Sequence, residues 1–286
     1  MVTVSHHSTI SFLSDYGHED EFVGVVKSVI RSINESVEIV DITHGIKPHD
    51  IRAGGLALAR ASQYILPGVV LAIVDPGVGT ERRAIAIEIN HGETIFIGPD
   101  NGLLAPAIAM VGEPTLAVEL NNPKFHLPSL SSTFAGRDIF APVAAHLCNG
   151  IELSDFGTTI SLPSLHPGLL PVSAREGDLV LAEILWKDHF GNLQLNISED
   201  DISDFGEHMI MHVGDQVRGI RRTKTFEGVL ESEIGLIVDS TGLLALTMFG
   251  RSTAEELRLD EGQQVKIENG AIKESTSTIV SLKKKS

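Results

Sequence analysis

Val69-Val70-Leu71-Ala72-Ile73-Val74-Asp75-Pro76-Gly77-Val78-Gly79-Thr80-Glu81-Arg82-Arg83 is the stretch that decides how this chain is read. The unbroken apolar run at residues 69–74 predicts a strand buried on both faces, as in a parallel sheet. Asp75 ends the run and Pro76-Gly77 follows, so the carboxylate is expected at the strand's carboxyl end, where open α/β sheets bind ligands. Gly77 and Gly79 allow a close backbone turn, and a loop folded back through them would bring Arg82 to Asp75. Asp before Pro-Gly is also ordinary turn chemistry. The rest of the chain gives the stretch its meaning.

Toward the amino end, residues 9–13 are β-prone and run into Ser14-Asp15-Tyr16-Gly17, another carboxylate just past a strand. Phe22, Val25, Val26, Val29, Ile30 and Ile33 recur at helical spacing, behind an acidic start at Glu19, Asp20 and Glu21. Residues 37–40 predict a second strand closed by Asp41, and Pro48-His49-Asp50 opens a second helical stretch ending near Tyr64. Strand, helix, strand, helix, strand implies right-handed crossovers and an α/β domain with a mostly parallel sheet. Residues 84–89 and 94–97 read as a hairpin, 103–110 as a short helix, 115–120 as a strand and 138–147 as a helix stopped by Asn149-Gly150.

Pro163, Pro167, Gly168 and Pro171 mark residues 161–173 as a linker. Beyond it helical periods largely give way to short strands at 179–186, 193–197, 209–213, 234–238, 243–248 and 265–267, with one helical turn at 253–257. That pattern predicts a small antiparallel β-barrel. The expected organisation is an α/β domain at residues 1–165 and a β-barrel domain at 175–286.

Composition narrows the function. The 286 residues are 42% hydrophobic and 21% charged, in keeping with a globular protein. Acidic residues outnumber basic ones 38 to 22, and the formal charge of −16 argues against a nucleic-acid partner. A negative field favours a cationic small molecule instead. Cys148 is the single cysteine and cannot form an internal disulfide. The first residues lack a signal peptide's basic and apolar regions, and no apolar run is long enough to span a bilayer. The expectation is a cytoplasmic protein with no membrane partner, its Lys283-Lys284-Lys285 tail solvated.

The twelve histidines are scattered and no Cys-x-x-Cys occurs, so no metal site is expected. Gly77-Val78-Gly79-Thr80 lacks the third glycine and the helix start of a dinucleotide fingerprint. What accumulates at element ends is acidic and aromatic: Asp15, Asp75, Asp138 and Asp188, with Phe134 and Phe190. Asp188-His189-Phe190-Gly191-Asn192 combines a carboxylate, a ring able to stack on a base, and an amide able to pair with one, although a hairpin turn would use the same residues. The run from Ser131 to Asp138 precedes a helix, whose free N–H groups suit polar ligands or plain capping.

Six motifs now stand in one order: Ser14-Asp15-Tyr16-Gly17, Asp75-Pro76-Gly77-Val78-Gly79-Thr80 with Arg82, Pro99-Asp100-Asn101-Gly102, Thr133-Phe134-x-Gly136-Arg137-Asp138, Asp188-x-Phe190-Gly191-Asn192 and Asp239-Ser240-x-Gly242. Together they resemble the S-adenosyl-L-methionine hydroxide adenosyltransferases (adenosine-forming hydrolases), relatives of the fluorinase and chlorinase. The resemblance spans nearly the whole chain. It implies hydrolysis of S-adenosyl-L-methionine to adenosine and L-methionine without a cofactor, in a homotrimer with its sites at subunit interfaces. It assigns Asp15 to the ribose hydroxyls, Asp188 to the methionine amino group, Phe190 and Asn192 to adenine, and Ser240 to the methionine carboxylate. The loop from Met248 to Gly250 would meet adenine through its backbone, Phe134 would line the substrate, and His49 stands where halogenating relatives carry a tryptophan over the ribose.

Asp75 and Arg82 resemble two of three polar residues that position the attacking water or hydroxide. The third departs from the pattern, because Ala135 stands where the hydrolases have histidine. An attenuated hydrolase, a substituted form of an ordinary one, and an enzyme for another nucleophile remain open at this stage. Halogenating relatives have tyrosine where Asp75 stands, and a carboxylate there repels halide and suits water. The alternatives are a halide-using adenosyltransferase and a non-catalytic S-adenosyl-L-methionine- or adenosine-binding protein.

Overall fold

The computed structural model describes residues 7–271; the chain's first residues and the lysine tail at 283–285 lie outside them. Strand β1 (Thr9–Ser14), helix α1 (Phe22–Ile33), strand β2 (Glu38–Thr43), helix α2 (Ile51–Ser62) and strand β3 (Val69–Ile73) make two successive βαβ crossovers. Every residue of β1 and β3 is buried, and β1 pairs in parallel with β2 on one side and β3 on the other. A fully buried side chain such as Phe12 or Leu71 contributes roughly 1.5–3 kcal/mol, so β1 and β3 are the anchor of the sheet. Strands β4 (Ala84–Ile89) and β5 (Thr94–Pro99) form the expected hairpin, followed by helix α3 (Ala105–Val111) and strand β6 (Pro114–Glu119). Helix α4 (Ala141–Cys148) and the two-residue strand β7 (Thr158–Thr159) complete the sheet order β2-β1-β3-β5-β4-β6-β7. Strands β2, β1, β3, β5 and β6 run one way and only β4 and β7 oppose them, so the sheet is mostly parallel.

One apolar cluster joins Ile10, Phe12, Leu71 and Ile73 to Val26 and Ile30 of α1 and to Val143 and Leu147 of α4. A second joins Leu13, Val70 and Ala72 to Leu58 of α2 and Ala107 of α3. Helices therefore cover both faces, which leaves the strand ends as the open edge. Some boundaries differ from the sequence reading. Strand β2 continues through Asp41 to Thr43, and the chain at 103–104 forms part of the turn before α3. The helical period at 138–147 hides a wide π-helical turn, Gly136–Phe140, closed by the Ala141 N–H donating to the Gly136 carbonyl. The residues read as linker begin with a 3₁₀ turn, Leu162–Ser164, tied back by Arg83 to Ser164 and by His166 N–H to Asp100 (2.8 Å).

A second compact unit begins at Pro171. It holds β8 (Ala174–Glu176), β9 (Leu179–Lys187), β10 (Leu193–Ser198), β11 (His208–Val213), β12 (Gln216–Arg222), β13 (Ile234–Val238), β14 (Leu243–Thr247), helix α5 (Thr253–Leu257) and β15 (Gln264–Asn269). The order β10-β14-β13-β12-β11-β15-β9 is closed by pairing of β10 with β9, giving a seven-stranded barrel with β8 beside β9. Alternate residues point inward, as with Val180, Ala182 and Ile184, or Met209 and Met211. All pairings are antiparallel except β12 with β13, a departure from a purely antiparallel barrel. Among the described residues no helix is long and apolar enough to cross a membrane.

Candidate active site

In the first unit, parallel pairing puts the ends of β1 and β3 side by side, with Ser14 opposite Ile73. Asp15 and Asp75 therefore emerge at one sheet edge, and the Asp15 N–H donates to the Ile73 carbonyl (3.3 Å). Asp15 Oδ2 accepts the His49 N–H (2.9 Å), and His49 holds a left-handed φ of 68° just before Asp50 caps α2 through the Ala53 N–H (2.8 Å). His49 thus meets Asp15 through its backbone, and its own residue surface is exposed.

The loop after β3 folds back as its glycines suggested. Arg82 lies against Gly77, and its guanidinium takes Asp75 in a two-pronged grip: Nε donates to Oδ1 (2.7 Å) and Nη2 to Oδ2. The two side chains are only 14% and 7% exposed, so solvent screens this pair little. The guanidinium also lies 5.3 Å from the Phe140 ring centroid. Ala135 is buried and lines, with Arg82, His126, Ser132 and Asp138, a cavity of about 440 Å³. Phe134 packs edge-on against Tyr16 (5.8 Å) and Phe22 (5.2 Å), and Arg137 lies over its ring (5.2 Å). Asp138 is spent on Arg137, Nε to Oδ1 at 2.6 Å. Burial, then the carboxylates of Asp15 and Asp75, push the Tyr16 phenol well above its ordinary value, with Arg82 pulling the other way.

In the second unit, Asp188 organises the β9–β10 turn. Its Oδ1 accepts the N–H groups of Phe190 (2.9 Å) and Asn192 (2.8 Å), and its Oδ2 accepts the Asn192 amide (2.7 Å). Gly191 takes a φ of 85°, and a Cβ there would come 2.1 Å from Ser252 Oγ, so only glycine closes this turn. Asn192 Oδ1 accepts the Thr247 hydroxyl (2.6 Å), leaving Phe190 76% exposed above the turn. Asp188, Phe190, Asn192, Met248 and Gly250 line a single cavity of about 680 Å³. Ser240 is not part of its lining and sits, exposed, in the β13–β14 turn, where Asp239 accepts the Thr241 N–H (2.8 Å) and the Gln194 amide (2.5 Å). Sequence reasoning missed Tyr16 and the cavity-lining Phe226 and Arg251. Tyr16 was signalled by its place beside Asp15; Phe226 opens a short 3₁₀ turn and Arg251 follows the 248–250 loop, neither with a sequence pattern to mark it.

His208 and His212 stand four residues apart on β11, which separates them by roughly 13 Å at about 3.3 Å per residue. Among the described residues no group of three or more histidine, cysteine or acidic side chains could hold a metal ion.

Two family models match the chain, the SAM hydroxide adenosyltransferase N-terminal domain over residues 10–157 and the C-terminal domain over residues 182–266. The chain belongs to the SAM hydroxide adenosyltransferase family. Relatives in this family include an (R)-S-adenosyl-L-methionine hydrolase of Salinispora tropica, 39% identical over 91% of this chain and 98% of its own length. One of the same name from Thermus thermophilus is 37% identical over 90% and 98%. A fluorinase of Nocardia brasiliensis is more distant, at 28% identity over 91% and 97%. A crystal structure of an uncharacterized conserved protein from Thermotoga maritima superposes with a TM-score of 0.84 at 35% identity, covering 91% of this chain and all of that one.

Proposed function

We propose that this chain hydrolyses S-adenosyl-L-methionine to adenosine and L-methionine by displacement at the ribose C5′ carbon. The observation that carries the reading is the Asp75–Arg82 pair at the sheet edge, in a chain whose hydrolase-named relatives match it nearly end to end. A sulfonium is already a good leaving group, since departure turns a cation into a neutral thioether. The demand falls on the nucleophile, which must be desolvated and held in line with the C5′–S bond. Asp75 accepts a proton or hydrogen bond from water, and Arg82 fixes the carboxylate and favours developing hydroxide. No step calls for a metal or cofactor.

Substrate roles follow the same reading. Asp15 holds the ribose hydroxyls, with His49 and Phe134 at the same site. Phe190 stacks on adenine, Asn192 and the loop from Met248 to Gly250 contact its edge, and Asp188 and Ser240 hold the methionine end. The working assembly is a homotrimer with its sites between subunits, in the cytoplasm. Size-exclusion chromatography with light scattering tests the trimer, and a monomeric, active protein would exclude it.

A second reading has one feature in its favour: the space beside Arg82 and Ala135 could admit an anion. Incubation with S-adenosyl-L-methionine, with and without chloride, separates the readings. Adenosine alone supports hydrolysis, 5′-chloro-5′-deoxyadenosine supports halide transfer, and tight binding with no product would leave a binding protein.

A further inference from the structure

The hydroxyl of Tyr16 is held by several constraints that the hydrolytic reading leaves without a role. The Tyr16 N–H donates to Ser14 Oγ (3.3 Å), and Ser14 shares a 2.7 Å hydrogen bond with His44 Nδ1. The opposite ring nitrogen of His44 faces Asp41 at 3.1 Å, off the line of a good hydrogen bond. The following amide, Gly17, donates to the His44 carbonyl (2.8 Å). These bonds pin the backbone, while Phe134 and Phe22 fix the ring. The hydroxyl itself rests on Gly136, where a Cβ would come within 2.2 Å of it. Glycine is what gives this oxygen its room.

Among the described residues the oxygen so placed has no hydrogen-bond partner, although Asp15, Asp75 and Arg82 all act on it electrostatically. A polar group fixed in a partly dry, charged site with its bonding capacity unused calls for an explanation. The phenol keeps its proton at every pH at which the enzyme would work, since burial and both carboxylates oppose its loss. It is therefore a neutral donor and not a base.

We propose that the Tyr16 hydroxyl donates a hydrogen bond to the oxygen nucleophile that Asp75 holds, and so sets which lone pair faces C5′. The inference rests on the hydrolytic reading above. Water offers one O–H to Asp75 and one lone pair to the Tyr16 O–H, and attacks through the other lone pair. The O–C5′ bond forms, the C5′–S bond breaks with its electron pair going to sulfur, and the water proton passes through Asp75 to solvent. Two fixed contacts orient the attacking oxygen where one would leave it free to swing.

The test is Tyr16→Phe in the full-length protein, which keeps the ring and removes the donor. Its expected effect lies between loss of a neutral hydrogen bond and loss of an oxyanion donor, so kcat falls on the order of tenfold to a hundredfold. KM, adenosine affinity and the shape of the pH–rate profile stay the same. Unchanged kcat overturns the proposal, as does a raised KM with kcat intact, which would make the hydroxyl a substrate ligand. A lost limb of the pH profile would make it a titrating base and overturn it too. If Tyr16→Phe fails to fold, Gly136→Ala displaces the hydroxyl with the phenol still present, and the same fall in kcat is expected. A wild-type protein that forms no adenosine sinks the hydrolytic reading and this proposal together; an active wild type matched by Tyr16→Phe sinks only the latter.

Discussion

Replacing Arg82 by methionine is the sharpest test of how Asp75 is held. The exchange keeps an unbranched apolar side chain in place of the arginine stem and removes both donors to a carboxylate that is 7% exposed, together with the guanidinium that lies over Phe140. Each hydrogen bond to a charged group contributes about 1.5–3 kcal/mol, and breaking a buried pair from one side costs about 3–5 kcal/mol. The first unit is therefore expected to lose about 3–5 kcal/mol in Arg82→Met, within the ~5–15 kcal/mol that domains possess. Asp75→Asn with Arg82→Met removes both charges, and the double variant should lose about 1–3 kcal/mol less than the sum of the two single changes. Urea unfolding followed by far-ultraviolet circular dichroism reads mainly α1 to α4 of the first unit, whereas fluorescence of Trp186 reads the barrel. Only the first transition should move. A loss below about 1 kcal/mol in Arg82→Met, or strict additivity in the double variant, would refute the claim that the pair is desolvated and mutually dependent.

Other expectations are simpler. Ala135→His places an imidazole toward the cavity beside Arg82, and turnover should rise with little change in substrate affinity; equal or lower turnover counts against a missing imidazole as the cause of any slowness. Phe190→Ala removes an exposed ring, so stability should change by less than about 0.5 kcal/mol, while adenosine affinity measured by calorimetry falls about 5- to 150-fold from lost stacking. Burial pushes the Cys148 thiol up to about 12. Its labelling by a thiol reagent at pH 8 should therefore be negligible in the folded protein and rapid in urea, and prompt labelling of the native chain would contradict the burial.

The first unit was legible in the sequence because its signals are strong and local. Residues 69–74 are apolar without interruption, and Val26, Val29, Ile30 and Ile33 recur at helical spacing in α1, although the buried set also takes Val23 and leaves Phe22 exposed. The carboxylates at the strand ends follow directly from where those runs stop. Strand β12 was not legible: of Gln216-Val217-Arg218-Gly219-Ile220-Arg221-Arg222 only Ile220 is buried, so alternation never shows. Its parallel partner β13 then hides the one break in the antiparallel pattern. Strands β7 and β8 are too short to carry a period. In the candidate site, the Asp75–Arg82 pairing was readable from the glycines between them. The Tyr16 hydroxyl was not, because its setting depends on Gly136, some 120 positions away in the chain.

The wide turn over Gly136–Phe140 sets the angular phase of everything just ahead of it. A regular α-helix advances about 100° per residue, and a π-helical turn accommodates one residue more than that pitch allows. Deleting Ile139 would let the segment relax to the common pitch. Phe134, Ala135 and Gly136 would then swing by roughly that angle about the axis of α4, whose inward stripe is locked into the sheet. The surplus residue acts as an indexing notch between a stationary core and the aromatic wall, so a single-codon loss there would misalign the wall while sparing the scaffold.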